Sequence, residues 1–130
     1  MKYIMGLAAA GVMMAGMAMA DPVFGTWKAN PDDNGNYGHV KIGACGAKIC
    51  GTLIKSFDSK GKTLKSKSTG KRVVWDMKPD GGGKYSGGKV YTPDRDKTYS
   101  GKMVLKGNVL NISGCVLGIR RSGGPMKRVN

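Results

Sequence analysis

The sequence contains no glutamate: all eight acidic residues are aspartate, set against 22 lysines and arginines for a net charge of +14. Leucine is sparse and, beyond residue 20, so is alanine, so the residues that most favour helices are scarce. No window of about 12 residues places apolar side chains at i, i+3, i+4 and i+7, which excludes amphipathic helices over nearly the whole chain. Histidine occurs once, as His39. A hydrolytic triad needs a base within reach of its nucleophile, so any such base here is His39, a lysine or an aspartate. No G-x-S-x-G elbow is present and no catalytic constellation is identifiable, so His39 reads as a half-exposed strand residue and the protein as a non-enzyme. Metal chemistry is equally thin. His39, Cys45, Cys50 and Cys115 do not have the paired spacing of a zinc site. Asp32-Asp33-Asn34-Gly35-Asn36 resembles the start of a calcium loop, but Tyr37 and Gly43 stand where that loop needs Gly and Glu. An Asx turn opened by Pro31 explains the run better, and no metal or cofactor is expected.

One long apolar stretch exists, at the start. Lys2 supplies a positive n-region, Ile4 to Met17 an apolar h-region, and Ala18-Met19-Ala20 an A-x-A cleavage site ahead of Asp21. The run is about 14 residues, short of the roughly 20 a spanning helix needs. No Cys follows for lipoprotein anchoring, and no twin arginine precedes it. Residues 1–20 are therefore expected to be a cleaved signal peptide, with an uncleaved membrane anchor as the alternative. Residues 21–130 are expected to form a single domain in the periplasm or outside the cell, with no membrane-spanning segment left. Removing the leader takes away much of the apolar content but only Lys2 among the charges, leaving a small basic domain at +13.

Glycine is what remains in abundance, 22 in all, together with β-branched and aromatic residues in short runs. The runs read as strands over 24–29, 39–44, 49–57, 72–77, 84–86, 89–91, 98–105, 109–113 and 116–121. Asn34-Gly35, Lys60-Gly61, Asp80-Gly81 and Gly107-Asn108 mark reversals between them. Tyr99, Gly101, Met103 and Leu105 fall on one face of their strand, with Ser100 and Lys102 on the other. Eight or nine short antiparallel strands favour a small closed or nearly closed β-barrel, because closure leaves no exposed edge. A β-sandwich is the runner-up. Trp27 and Trp75 are expected to anchor the core or to line a cavity within it.

Four further features carry chemistry. Cys45 and Cys50 flank a predicted hairpin turn and are expected to form a structural disulfide after export. Cys115 is left over, as a buried thiol, a reactive site or the link of a dimer; otherwise a monomer is expected. From Lys55 to Arg72 the chain carries seven basic residues against Asp58 alone. That stretch reads as a solvated loop, with Lys60, Lys62, Lys65, Lys67, Lys71 and Arg72 available to an anionic cell-envelope component. Phe57 is its only base-stacking aromatic, which argues against nucleic acid as a partner. Around the Pro93-Asp94 turn, Tyr91, Asp94, Lys97 and Tyr99 converge. With Trp27 and Trp75 they form the candidate ligand-binding set.

Laid out this way, the chain resembles the bacterial family catalogued as domain of unknown function 2147. The resemblance runs through Gly25-Thr26-Trp27, the Cys45–Gly51 turn, Gly87-Gly88-Lys89-Val90-Tyr91, Pro93–Tyr99 and Gly114-Cys115-Val116-Leu117-Gly118. It implies a secreted, lipocalin-like small barrel and no established reaction. Members often carry a Cys five residues after the position of Cys115 and a Trp near the terminus. Arg120 and Pro125-Met126 stand there instead. A second disulfide and a closing aromatic are thus not implied, and the last strand is expected to be less firmly fixed. Two functions follow. One is a non-enzymatic module for a small apolar or amphiphilic ligand; the other is an envelope-contacting protein that uses its basic face.

Overall fold

A computed structural model describes residues 21–93, 95–116 and 119–130. The proposed leader, Asp94 and Leu117-Gly118 lie outside the described residues, as do the side chains of Val116 and of residues 119–122. The strands are β1 (Gly25–Lys28), β2 (Tyr37–Cys45), β3 (Lys48–Phe57) and β4 (Arg72–Gly81). β5 (Lys84–Thr92), β6 (Lys97–Lys106), β7 (Val109–Val116) and β8 (Ile119–Arg128) follow. Each pairs antiparallel with the next, and β8 pairs back onto β1 through Trp27↔Arg128 and Lys28↔Lys127. The eight strands close into a barrel, so no sheet edge is left open.

The up-and-down order separates two ends. At one end β2–β3, β4–β5 and β6–β7 turn over two residues each, at 46–47, 82–83 and 107–108. Gly82 and Gly83 both hold positive φ, 65° and 80°, the geometry a tight hairpin needs to follow the strand twist. The Cys45–Cys50 disulfide staples this end, with Cα atoms 5.6 Å apart. At the other end the connections over 29–36, 58–71 and 93–96 are longer.

The closed end is filled. Trp27, Ile42, Met77, Met103 and Leu110 are buried to 2% exposure or less, with Ile49 and Tyr85 beside them. Residues before β1 form the plug: Val23 is fully buried, and Asp21 accepts a hydrogen bond from the Tyr85 hydroxyl at 2.7 Å. Burial and that bond both hold the Tyr85 phenol far above its ordinary pKa. Of the two tryptophans, only Trp27 belongs to the core. Trp75 is half-buried and paired with exposed Lys89, one residue out of phase with buried Val74. It therefore sits on the outward side of β4, against the expectation that both indoles anchor the interior.

Two strand expectations are corrected. The runs 84–86 and 89–91 are one strand, β5, whose register slips between Tyr85 and Gly88. Gly87 absorbs the irregularity at φ 80°, a bulge rather than a break. The run 116–121 is two strand ends, because Val116 pairs with Ile119 and β8 continues to Arg128. Beyond the expected run, Pro125 lies opposite Asn111 where that ladder is irregular, a place that tolerates a missing N–H. β8 is paired on both sides, and Met126 is buried in the core at the position where relatives were expected to close with an aromatic. Among the described residues no helix is long and apolar enough to cross a membrane.

Candidate ligand-binding cavity

The barrel is packed in its closed half and hollow in its open half. A cavity of about 690 Å³ occupies the open half, within the 300–1,000 Å³ range of small-molecule sites. Its inner wall is built from Val40 on β2, Leu53 on β3, Val74 on β4, Val90 on β5, Ile112 on β7 and Met126 on β8. The period-two alternation of each strand delivers one such residue per turn of the wall. Met77, Met103 and Leu110 lie in the filled half. They belong to the core but not to the lining.

The mouth is made by loops that fold on themselves. In the β1–β2 loop, Asp32 Oδ1 accepts the backbone N–H groups of Asn34 and Asn36, both at 2.9 Å. In the β3–β4 loop, Asp58 Oδ1 does the same for Lys60 and Lys62, again at 2.9 Å. The two segments, Asp32–Asn36 and Asp58–Lys62, are the same device: an Asx loop with Gly at its fourth position. They also touch, since a Cβ on Gly35 would lie 2.7 Å from Ser59 Cβ. The basic loop is further tied to the barrel by Leu64 N–H to Ser56 O and Gly70 N–H to Leu53 O, at 2.8 and 2.7 Å. Leu64, Lys65 and Ser66 consequently line the mouth.

The six candidate ligand residues separate. Tyr91 and Tyr99 line the cavity. Trp27 is buried at the closed end, Trp75 faces outward, and Lys97 is exposed and not among the lining residues. Asp94 lies outside the described residues. The Tyr91 hydroxyl donates to Asp96 Oδ1 at 2.6 Å, and that bond, with lesser help from burial and the Asp96 charge, raises the phenol pKa. The Lys71 ammonium sits 5.6 Å from the Tyr91 ring centroid. Lys60, Lys62, Lys65, Lys67, Lys71 and Arg72 are all exposed, and of them only Lys65 also lines the cavity. Cys115 is a half-buried free thiol opposite Ser100 on β6.

Sequence reasoning missed an aromatic cluster beside the mouth. Tyr37 and Phe57 stack at 5.1 Å, and His39 tilts against Phe57 at 4.6 Å. Lys28 lies 4.4 Å from the Tyr37 ring centroid. Tyr37 pairs with Phe57, and His39 with both Lys28 and Lys55, so only the strand register assembles the group. Partial burial, then the charges of Lys28 and Lys55, hold the His39 pKa below its ordinary value. Tyr37 and Phe57 line the cavity, whereas His39 does not. Among the described residues no cluster of three metal-ligating side chains is present.

The family described as "Uncharacterized protein conserved in bacteria (DUF2147)" matches residues 25–123. Among solved structures, the chain is similar to protein HP1028 from the human pathogen Helicobacter pylori, described as belonging to the lipocalin family. The TM-score is 0.66 at 18% identity, covering 83% of each chain. That likeness establishes a lipocalin-like fold. No curated protein matches the sequence.

Proposed function

The chain belongs to the DUF2147 family, and we propose that its barrel is an exported, non-enzymatic module that binds one small apolar or amphiphilic molecule in its open half. The observation that carries this reading is the cavity of about 690 Å³ with an aliphatic wall, in a barrel whose other half is densely filled. The aliphatic wall favours a ligand with a substantial apolar part. The lipocalin-like fold supports the same class of ligand. His39, the lone imidazole, is absent from the lining, which favours binding over acid–base chemistry. Residues 1–20 support a periplasmic or secreted location, which N-terminal sequencing of the exported protein tests: the reading expects a chain starting at Asp21.

The direct test uses N-phenyl-1-naphthylamine, a neutral probe that fluoresces in apolar surroundings. The folded protein is expected to give a saturable, one-site enhancement. Ile112→Trp, which fills the cavity, should weaken the probe by about tenfold or more. A wild-type protein that does not bind the probe overturns the reading. The six exposed cations of the 58–72 segment favour a second, compatible role in contacting anionic envelope surfaces. Binding to anionic vesicles that does not weaken with salt would count against it.

A further inference from the structure

We propose that the cavity takes a single-chain amphiphile tail-first, with an anionic headgroup held at the mouth between Lys65 and Arg95. This rests on the cavity being a binding site and adds the chemistry of what it selects.

Charge is distributed in one way along the lining. Among the described residues, the wall from Val40 and Leu53 to Ile112 and Met126 carries none. The charged ones among the described lining residues, Asp32, Lys65 and Arg95, all belong to mouth loops. Asp32 is turned to its own loop, where one carboxylate oxygen already accepts two backbone N–H groups. Lys65 and Arg95 are both exposed, and among the described residues no carboxylate pairs with either. They stand on different connections, β3–β4 and β5–β6, so a group reaching both must lie across the opening. Lys71, over the Tyr91 ring, adds a third positive charge beside the same wall. Tyr91 cannot act as a competing anion, because its hydroxyl donates to Asp96 and keeps its proton.

The physical preference follows. An apolar tail gains by leaving water for the aliphatic wall, whatever its head. A head that stays at the mouth keeps part of its hydration, so it escapes the desolvation penalty of a buried ion while still meeting two cations. A carboxylate or phosphate suits Arg95, whose planar fork matches either. A cationic head meets like charge. The surrounding Lys60, Lys62 and Lys67 raise the local concentration of anions and their rate of arrival.

Displacement of N-phenyl-1-naphthylamine from the folded protein separates the alternatives, using heads of different charge on one tail: laurate, dodecyl phosphate, dodecanol and dodecyltrimethylammonium. Laurate or dodecyl phosphate is expected to compete at concentrations about tenfold below dodecanol in low salt. That advantage should shrink at high salt, and the ammonium should be weakest. The stronger of the two anions identifies the head as carboxylate or phosphate. Lys65→Gln and Arg95→Gln should each lose several-fold for the anions relative to dodecanol measured on the same variant, and the double variant should lose the preference. Equal competition by all four heads, or a preference that survives in the double variant, overturns the proposal and leaves the cavity reading standing. If the probe does not bind wild-type protein, both fail together.

Discussion

Arg128 lies across the Trp27 indole, its guanidinium carbon 4.4 Å from the ring centroid. The two residues are also directly paired across the β1–β8 seam. That seam is short, since β1 has four residues and only two of them pair with β8. The side chains do what the short ladder cannot. Arg128 donates through Nε to Asn108 Oδ1 and through Nη1 to Phe24 O, both at 3.0 Å, and through Nη2 to Pro22 O. The Trp27 indole N–H donates to Val23 O at 2.9 Å. One cation thereby ties the last strand, the 107–108 turn and the plug of residues before β1.

Arg128→Ala should therefore cost about 2–3 kcal/mol, from a partly desolvated cation–π contact and the loss of charge-assisted hydrogen bonds. Urea unfolding checks this as a lower midpoint with an unchanged slope. Arg128→Lys should recover only part of the loss, because an ammonium cannot reach three acceptors in a fixed fork. Full rescue by lysine would reduce the contact to simple charge.

Gly88 is fixed by close approach. A Cβ there would fall on the Trp75 carbonyl and within 2.9 Å of the Met77 amide nitrogen, so backbone rather than a flexible side chain would have to move. Gly88→Ala should destabilise by about 2–3 kcal/mol. Gly43 meets nothing within 4 Å, and Gly43→Ala should stay within about 0.5 kcal/mol of wild type. Thermal melts of the two variants measured side by side decide it.

The Cys45–Cys50 bridge closes a short loop at the end of the barrel away from the cavity. Replacing both cysteines by alanine should cost about 2 kcal/mol by the loop-entropy relation. Probe affinity at the other end should be unchanged. A variant that loses binding while remaining folded would show that the staple shapes the open half as well.

His39 gives a pH dependence with a defined sign. Its pKa in the folded protein lies below the ordinary value, through burial and then Lys28 and Lys55. The unfolded chain therefore binds the proton more readily, and stability falls as pH drops from about 6.5 through the folded-state pKa. Above about 6.5 the contribution is fully present. Stability measured from pH 7.5 to pH 5 should decline less steeply in His39→Asn than in wild type. Equal slopes would show that His39 protonates without cost.

Much of the architecture was legible in residue order. The alternation of Tyr99, Gly101, Met103 and Leu105 sets one face of β6, and Gly107-Asn108 occupies the turn expected of it. Short range sufficed there because the signals are local: side chains alternate, and a tight turn demands glycine. Prediction failed where a strand bends without ending. The expected runs stop at 86 and 121, short of Gly87 and Gly123, because a single strand cannot reveal that its partner tolerates a bulge. The candidate site divided for the same reason. Tyr91 and Tyr99 reach the cavity, but Trp75 follows the irregular register of β4 to the outside.

Composition and spacing, then, were enough for an all-β chain with a hairpin disulfide and a strong positive charge, since propensity, turn chemistry and charge belong to neighbouring residues. Closure of the barrel made the rest. Joining β1 to β8 leaves the long connections 29–36, 58–71 and 93–96 at one end and the turns at 46–47, 82–83 and 107–108 at the other. Trp27, Met77 and Met103 thus fill one half, while Lys65 and Arg95, thirty residues apart, come to share the mouth of the other. A cavity depends on contacts between residues distant in sequence, and such contacts exist only after the chain has closed on itself.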